Sequence, residues 1–256
     1  MWHLIKIEWL KIYKYRAFII LLGLFVLSVL GLNYIVNEIT TMKENPLSAF
    51  TSTAFTFPKV WHTVTYLSSY LLFIPGLIMI LLLCNEFSFK THRQNIIDGI
   101  SRSQFIHTKL FLAVIFAVLL TLLVSLTACL FGAIHGGGTF TLTSIKYIPY
   151  FFIQSVLYLN VGMVFALVFK RSGISIGVYF LYIFILENVL SLILNKYLSP
   201  LGALLPLEAS DNLIPVPVSL GLPDNTPGEP YLLIACLVWI IASAWFCKYK
   251  FEKHDL

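Results

Sequence analysis

The chain has 256 residues, 59% hydrophobic and 11% charged, with a mean hydropathy of +0.87 and a net charge of +5. A water-soluble domain is about one quarter charged, so this composition excludes a soluble globular protein. The apolar segments are continuous, not alternating, which excludes a β-barrel, and the excess charge sits beside them as in a membrane protein, not as in a nucleic-acid binder.

Residues 1–16 mix Trp2, Trp9, Tyr13 and Tyr15 with Lys6, Lys11, Lys14 and Arg16. Rings and long basic side chains suit the headgroup layer, so this stretch reads either as an interfacial helix or as the basic flank of the first span. Residues 17–36 are that span, since about 20 apolar residues match the hydrocarbon thickness. Gly23 and Gly31 within it are expected to permit close helix contact. No small-x-small site follows, so a retained span rather than a cleaved leader is expected. Residues 37–60 form an outer segment broken by Pro46 and Pro58 and made sticky by Phe50, Phe55 and Phe57.

The second span covers residues 61–83, with a bend expected at Pro75-Gly76. Residues 86–109 interrupt the oily sequence with Lys90, Arg93, Arg102 and Lys109 against Glu86 and Asp98. Their pattern predicts a short helix, a stop at Gly99 and a new start capped by Ser101. Ile96, Ile97 and Ile100 make an apolar knob, with Phe105 and Ile106 beyond. Ringed by arginines, that knob suits a groove on a soluble partner; the competing reading is a helix lying among lipid headgroups.

The third span covers 110–131, and His135 with three glycines opens a short outer loop. The fourth covers 149–169 and contains Gln154 and Asn160; Lys170-Arg171 turns into the fifth, 172–194, which contains Glu187. The outer segment 195–230 is proline-rich, and its stretch 197–218 is too apolar for a free loop. Short interfacial or re-entrant helices are expected there. The sixth span covers 231–247, before a basic tail. Of the 17 Lys and Arg, thirteen fall on the side holding the termini and residues 86–109, which places that side in the cytoplasm.

Motifs for catalysis are few. His135-Gly136-Gly137-Gly138 matches a loop that donates oxyanion-hole amides in some esterases, but no GxSxG accompanies it, and a flexible turn explains it as well. There is no HExxH and no GxxxxGK[ST], so neither a zinc protease nor P-loop ATP hydrolysis is expected. Cys84, Cys129, Cys236 and Cys247 lack metal or redox spacing and read as small buried hydrophobes. A carboxylate at Glu187 is costly inside a bilayer unless paired or facing water. It reads as part of a transport path, with Asn160 and Gln154 as weaker candidates, or as a side chain held by its neighbours.

The run from Glu86 through HRQNIIDGISRSQFIHTK resembles the ABC-2 type, or type-2 ABC exporter, permease subunits, especially those of bacterial multidrug, antimicrobial-peptide and lantibiotic-immunity exporters. The resemblance implies one transmembrane domain over residues 1–256: an all-α integral membrane protein with six spans and cytoplasmic termini. It further implies an interfacial helix before the first span and short outer helices between the last two. Residues 86–109 would be a coupling helix resting on a separate cytoplasmic ATPase subunit, which binds ATP and Mg. Glu86, Arg93, Ile96, Ile97, Asp98, Gly99, Arg102 and Phe105 are the coupling candidates. A second permease protomer, identical or not, and membrane lipids are the other partners, the location is a bacterial cytoplasmic membrane, and an amphipathic peptide, lipid or drug is the cargo. The chain would need no cofactor of its own. Rival readings are an ion- or proton-coupled transporter using Glu187, an intramembrane enzyme, and a non-transporting anchor or sensor.

Overall fold

The computed structural model describes residues 2–41, 53–135, 140–217 and 226–253. Pro46 and Phe50, glycines 136–138 with the His135 side chain, and residues 218–225 lie outside the described residues.

Helix α1, Trp2–Tyr13, meets α2, Arg16–Thr41, at Lys14-Tyr15. At 1.5 Å per residue, the 26 residues of α2 reach about 39 Å, more than the roughly 30 Å of bilayer hydrocarbon. Nothing in the fold lies within 4 Å of a Cβ built at Gly23 or Gly31. The close contacts expected of them are made by other glycines.

The second span is two helices, α3 (Lys59–Ser69) and α4 (Phe73–Ser88), bent by 46°. The break at residues 70–72 comes before Pro75, which sits in the first turn of α4, where its missing N–H removes no helical bond. Pro75-Gly76 therefore begins a helix and does not bend one. Gly76 serves packing instead: a Cβ there would lie 1.7 Å from Tyr179 Oη, and a Cβ on Gly162 would lie 2.7 Å from the Gly76 carbonyl oxygen.

Helix α5, Thr91–Ile97, forms a short elbow before α6, Arg102–His135. Helix α7, Tyr147–Phe169, is the hub: 72% of its apolar window is buried, and α3, α4, α6 and three later helices pack around it. Its Gly162, Ser155 and Ala166 are small enough to let neighbouring backbones approach. The Lys170 turn (φ 56°) leads into α8, Ser172–Leu181.

A wide π turn over Tyr182–Leu186 joins α8 to α9, Glu187–Leu198. Asn188 Nδ2 donates to the carbonyls of Ile183 (3.0 Å) and Phe184 (3.4 Å) across that wide turn. The helix runs four residues past the expected end at 194 because nothing before Pro200 breaks it. A tight turn, Leu201–Leu204, and the short helix α10, Pro206–Asp211, follow. Helix α11, Glu229–Lys253, closes the described chain and is longer than the expected 231–247.

Among the described residues, five helices are long and apolar enough to cross a membrane, six when the bent pair counts as one. Helix α2, the α8–α9 pair and α11 each bury only 17% of their apolar windows. Side chains such as Leu27, Leu192 and Ile241 are left outside the fold, as hydrocarbon solvent permits. The basic end of the bundle gathers α1, α5, the Lys170 turn and the end of α11. At the opposite end Lys146 pairs with Glu229 at 2.5 Å and Trp61 Nε1 donates to the Thr141 carbonyl at 2.9 Å.

Candidate functional site

The elbow is built by local chain chemistry. Lys90 adopts φ 56° to turn the chain from α4 into α5. Gly99, at φ +95°, ends α5 in a Schellman motif: its N–H donates to Ile96 O and the Ile100 N–H donates to Asn95 O, both at 3.1 Å. Ser101 and Gln104 then form a reciprocal capping box, with Gln104 N–H on Ser101 Oγ at 3.2 Å and Ser101 N–H on Gln104 Oε1 at 3.1 Å. A Cβ on Gly99 meets nothing within 4 Å, so Gly99→Ala carries only the backbone penalty of the left-handed region, about 1–2 kcal/mol. A thermal melt of the purified variant in detergent will show that modest loss with helix content unchanged.

The candidate residues of the elbow divide by exposure. Arg93, Ile97, Asp98 and Gly99 are exposed, Ile96 and Arg102 half-buried, and Glu86 and Phe105 buried. Arg102 Nη1 donates to the Glu252 carbonyl at 3.0 Å, and Phe105 stacks on Phe251 at 4.8 Å. These two hold the elbow against the end of α11. Ile97 is 78% exposed and Phe89 76% exposed; Arg93 is exposed too, as is Asp98, which accepts from Gln94 Nε2 at 3.2 Å.

Behind the elbow lies an ion cluster. Lys109, in the second turn or so of α6, is 4% exposed and pairs with Glu8 of α1 and, at 2.6 Å, with Glu86 of α4. Lys11 reaches Glu8 at 3.0 Å and Glu86 at 3.5 Å from the surface. Burial pushes the Glu8 carboxyl up, but the Lys109 charge and hydrogen bond, with Lys11 behind them, outweigh it and hold Glu8 below the usual carboxylate range. His92 Nδ1 donates to the Glu86 carbonyl at 2.9 Å, tying α5 to the same point. The cluster thus joins α1, α4, α5 and α6. Glu8 was absent from the sequence-based candidates; its signal was being the sole acid in residues 1–16.

Glu187, Gln154 and Asn160 do not converge on one path. Glu187 Oε1 accepts from the N–H groups of Leu207 (2.6 Å) and Glu208 (3.0 Å), capping α10, whose own Leu205 has no side chain able to do so. Gln154 Nε2 donates to Asp211 Oδ1 at 2.7 Å at the other end of α10. Asn160 Nδ2 donates to Ser243 Oγ at 3.3 Å, joining α7 to α11. Glu187 and Gln154 therefore hold the two ends of one short helix. Asp211, in the outer segment 195–230, is brought onto the face of α7 by the fold.

Long apolar helices around the buried hub α7, with a rigid polar elbow at the basic end, define a multi-pass helical membrane protein. The family profile described as "ABC-2 family transporter protein" matches residues 4–186, from α1 through the π turn. The chain belongs to the ABC-2 transporter family. No curated protein matches it. ABC-2 permeases are transport subunits and not enzymes, and among the described residues no group of His, Cys, Asp and Glu is placed to hold a metal ion.

Proposed function

We propose that the protein is the permease subunit of an ATP-driven exporter, and that its elbow docks a separate cytoplasmic ATPase subunit. The basic end then faces the cytoplasm, in keeping with its excess of Lys and Arg. Two permease protomers enclose the path of an amphipathic substrate in a bacterial cytoplasmic membrane, and ATP with Mg binds the partner. ATP closes the ATPase pair and shifts the permease population toward the outward state by binding that state better. The observation that carries this reading is the pair Ile97 and Phe89, two large apolar side chains exposed on an elbow that is otherwise locked in place. Arg93 and Asp98, exposed on the same elbow, orient the partner, contributing less to affinity than the apolar anchors. Glu86, Ile96, Gly99, Arg102 and Phe105 couple by holding the elbow rigid, so that a push on α5 moves α4, α6 and α11 together.

Ile97→Asp places a charge where an apolar anchor enters the partner's groove. Burying it without a partner costs at least about 2 kcal/mol, some thirtyfold in affinity. Co-purification from mild detergent checks this: the wild type retains an ATPase, and the variant loses it at unchanged expression and melting temperature. An ATPase retained by the variant removes the elbow as the docking surface.

A further inference from the structure

We infer that the gap between α8 and α11 on the hub helix is a binding site for the acyl chain of a membrane lipid. Helices α8 and α11 both pack on α7 but make little contact with each other. Between them lies a cavity of about 420 Å³. An apolar cavity of roughly 150 Å³ already admits one benzene, so this one has room for a much larger apolar group. Its walls run lengthwise: Leu157, Val161 and Phe165 are spaced at about one turn on α7, as are Trp239, Ala242 and Phe246 on α11. Each row rises about 10–12 Å along its helix, which makes the cavity a slot parallel to the spans. Tyr182 of the π turn and Pro206 of α10 complete the walls.

The chemistry of the walls selects hydrocarbon. Trp239 Nε1 donates to the Leu204 carbonyl at 2.8 Å, and the Tyr182 hydroxyl bonds Glu187. Ser243 Oγ, on the same wall of α11, donates to the Ile240 carbonyl at 3.0 Å and accepts from Asn160 Nδ2 at 3.3 Å. These polar groups are thus satisfied within the protein and offer nothing to a polar ligand. Trp245, the remaining polar side chain on the walls, is 64% exposed, so the slot reaches the outside of the fold there. Ala242 and Val161 fall near the middle of the 25 residues of α11 and the 23 of α7. What lies outside at that depth is bilayer hydrocarbon. A slot left empty there forfeits the dispersion contacts of its walls, and a charged head group drawn into it would lose its water without compensation. A flexible acyl chain meets neither cost, and once seated it supplies the packing that α8 and α11 do not give each other.

This site requires only that the chain lies in a bilayer, and it stands apart from the permease reading. The test uses the full chain in phospholipid nanodiscs without any ATPase. The nanodiscs are doped with phosphatidylethanolamine carrying a photoreactive diazirine at mid-chain or, as the control, on its head group. Leu157 and Val161 are 0% and 9% exposed, so a lipid reaches them through the slot and not from the bulk bilayer. After illumination, peptide mapping by mass spectrometry is expected to find the mid-chain label on these two residues and no head-group label. Ala242→Trp blocks the slot and abolishes the label on α7. Ile241→Trp, at a position 68% exposed, adds a ring outside the slot and leaves that label in place; unchanged melting temperatures verify both variants. The proposal is overturned by absence of mid-chain label on Leu157 and Val161 in the wild type, or by equal label from the head-group probe, and neither result needs a variant. Label that survives in a folded Ala242→Trp overturns it too, as does label confined to the monomer fraction, which would mean that a second copy of the chain fills the slot. ATPase co-purification depends on none of these outcomes, so failure here and failure of the permease reading are read separately.

Discussion

Lys109→Met lowers the stability of the purified protein by about 3–5 kcal/mol, the cost of leaving buried carboxylates without their counter-charge. Glu8 and Glu86 are 6% and 7% exposed, and Glu86 Oε2 has no hydrogen-bond partner, so its charge is balanced through Oε1 alone. Lys11 cannot substitute: it is more than a third exposed and lies 3.5 Å from Glu86, the geometry of a weak surface pair. Denaturation in mild detergent will record the loss. Adding Glu8→Gln and Glu86→Gln to Lys109→Met restores most of it, because the interaction is shared and the three changes are not additive. A triple variant no more stable than the single one shows that the cluster is not what holds α1 to the elbow. The acid side has a defined sign. Glu8 is held below its unfolded value, so its contribution is complete above the ordinary carboxylate range and is lost as pH falls through the folded value.

Gly162→Ala produces the second large effect. The new Cβ lies 2.7 Å from the Gly76 carbonyl oxygen, which belongs to helix backbone and cannot swing aside. Overpacking of this kind costs about 1–3 kcal/mol, against the small gain alanine brings to an isolated helix. Gly23→Ala, where nothing lies within 4 Å, is the matched control and is neutral or stabilising. Thermal melts of the pair in one detergent separate crossing geometry from helix propensity. Equal behaviour of the two variants would mean that α4 and α7 do not cross closely at Gly76.

The two glycine sites show where sequence reading stops. Gly23 and Gly31, eight residues apart in an apolar segment, are indistinguishable in sequence from glycines at a helix crossing. What separates Gly162 from them is the rotation of α7 against α4, a property of the packed bundle. The elbow is the opposite case. Gly99, Ser101 and Gln104 act through neighbours within five residues, so their roles as stop and cap are legible before any tertiary structure exists. Exposure on that elbow was not legible: Phe105 and Ile97 are equally apolar in sequence, yet one is stacked on Phe251 and the other is 78% exposed.

Charge followed the same division. The low ionic content and the long apolar runs determined by themselves that the solvent is a membrane and the regular structure helical, because only closed backbone hydrogen bonding survives in hydrocarbon. The clustering of Lys and Arg likewise distinguishes the two ends of the bundle without reference to contacts. Only the tertiary structure decided how the few buried charges are used. Glu8 and Lys109 are 101 positions apart and meet because α1 and α6 converge at one end. Glu187 caps α10 because Leu205 cannot, and Asp211 lies open beside α7 because α10 folds back along it. Propensities, caps and hydropathy are carried by a few consecutive residues; the pairing and exposure of a buried charge depend on which distant helix lies alongside.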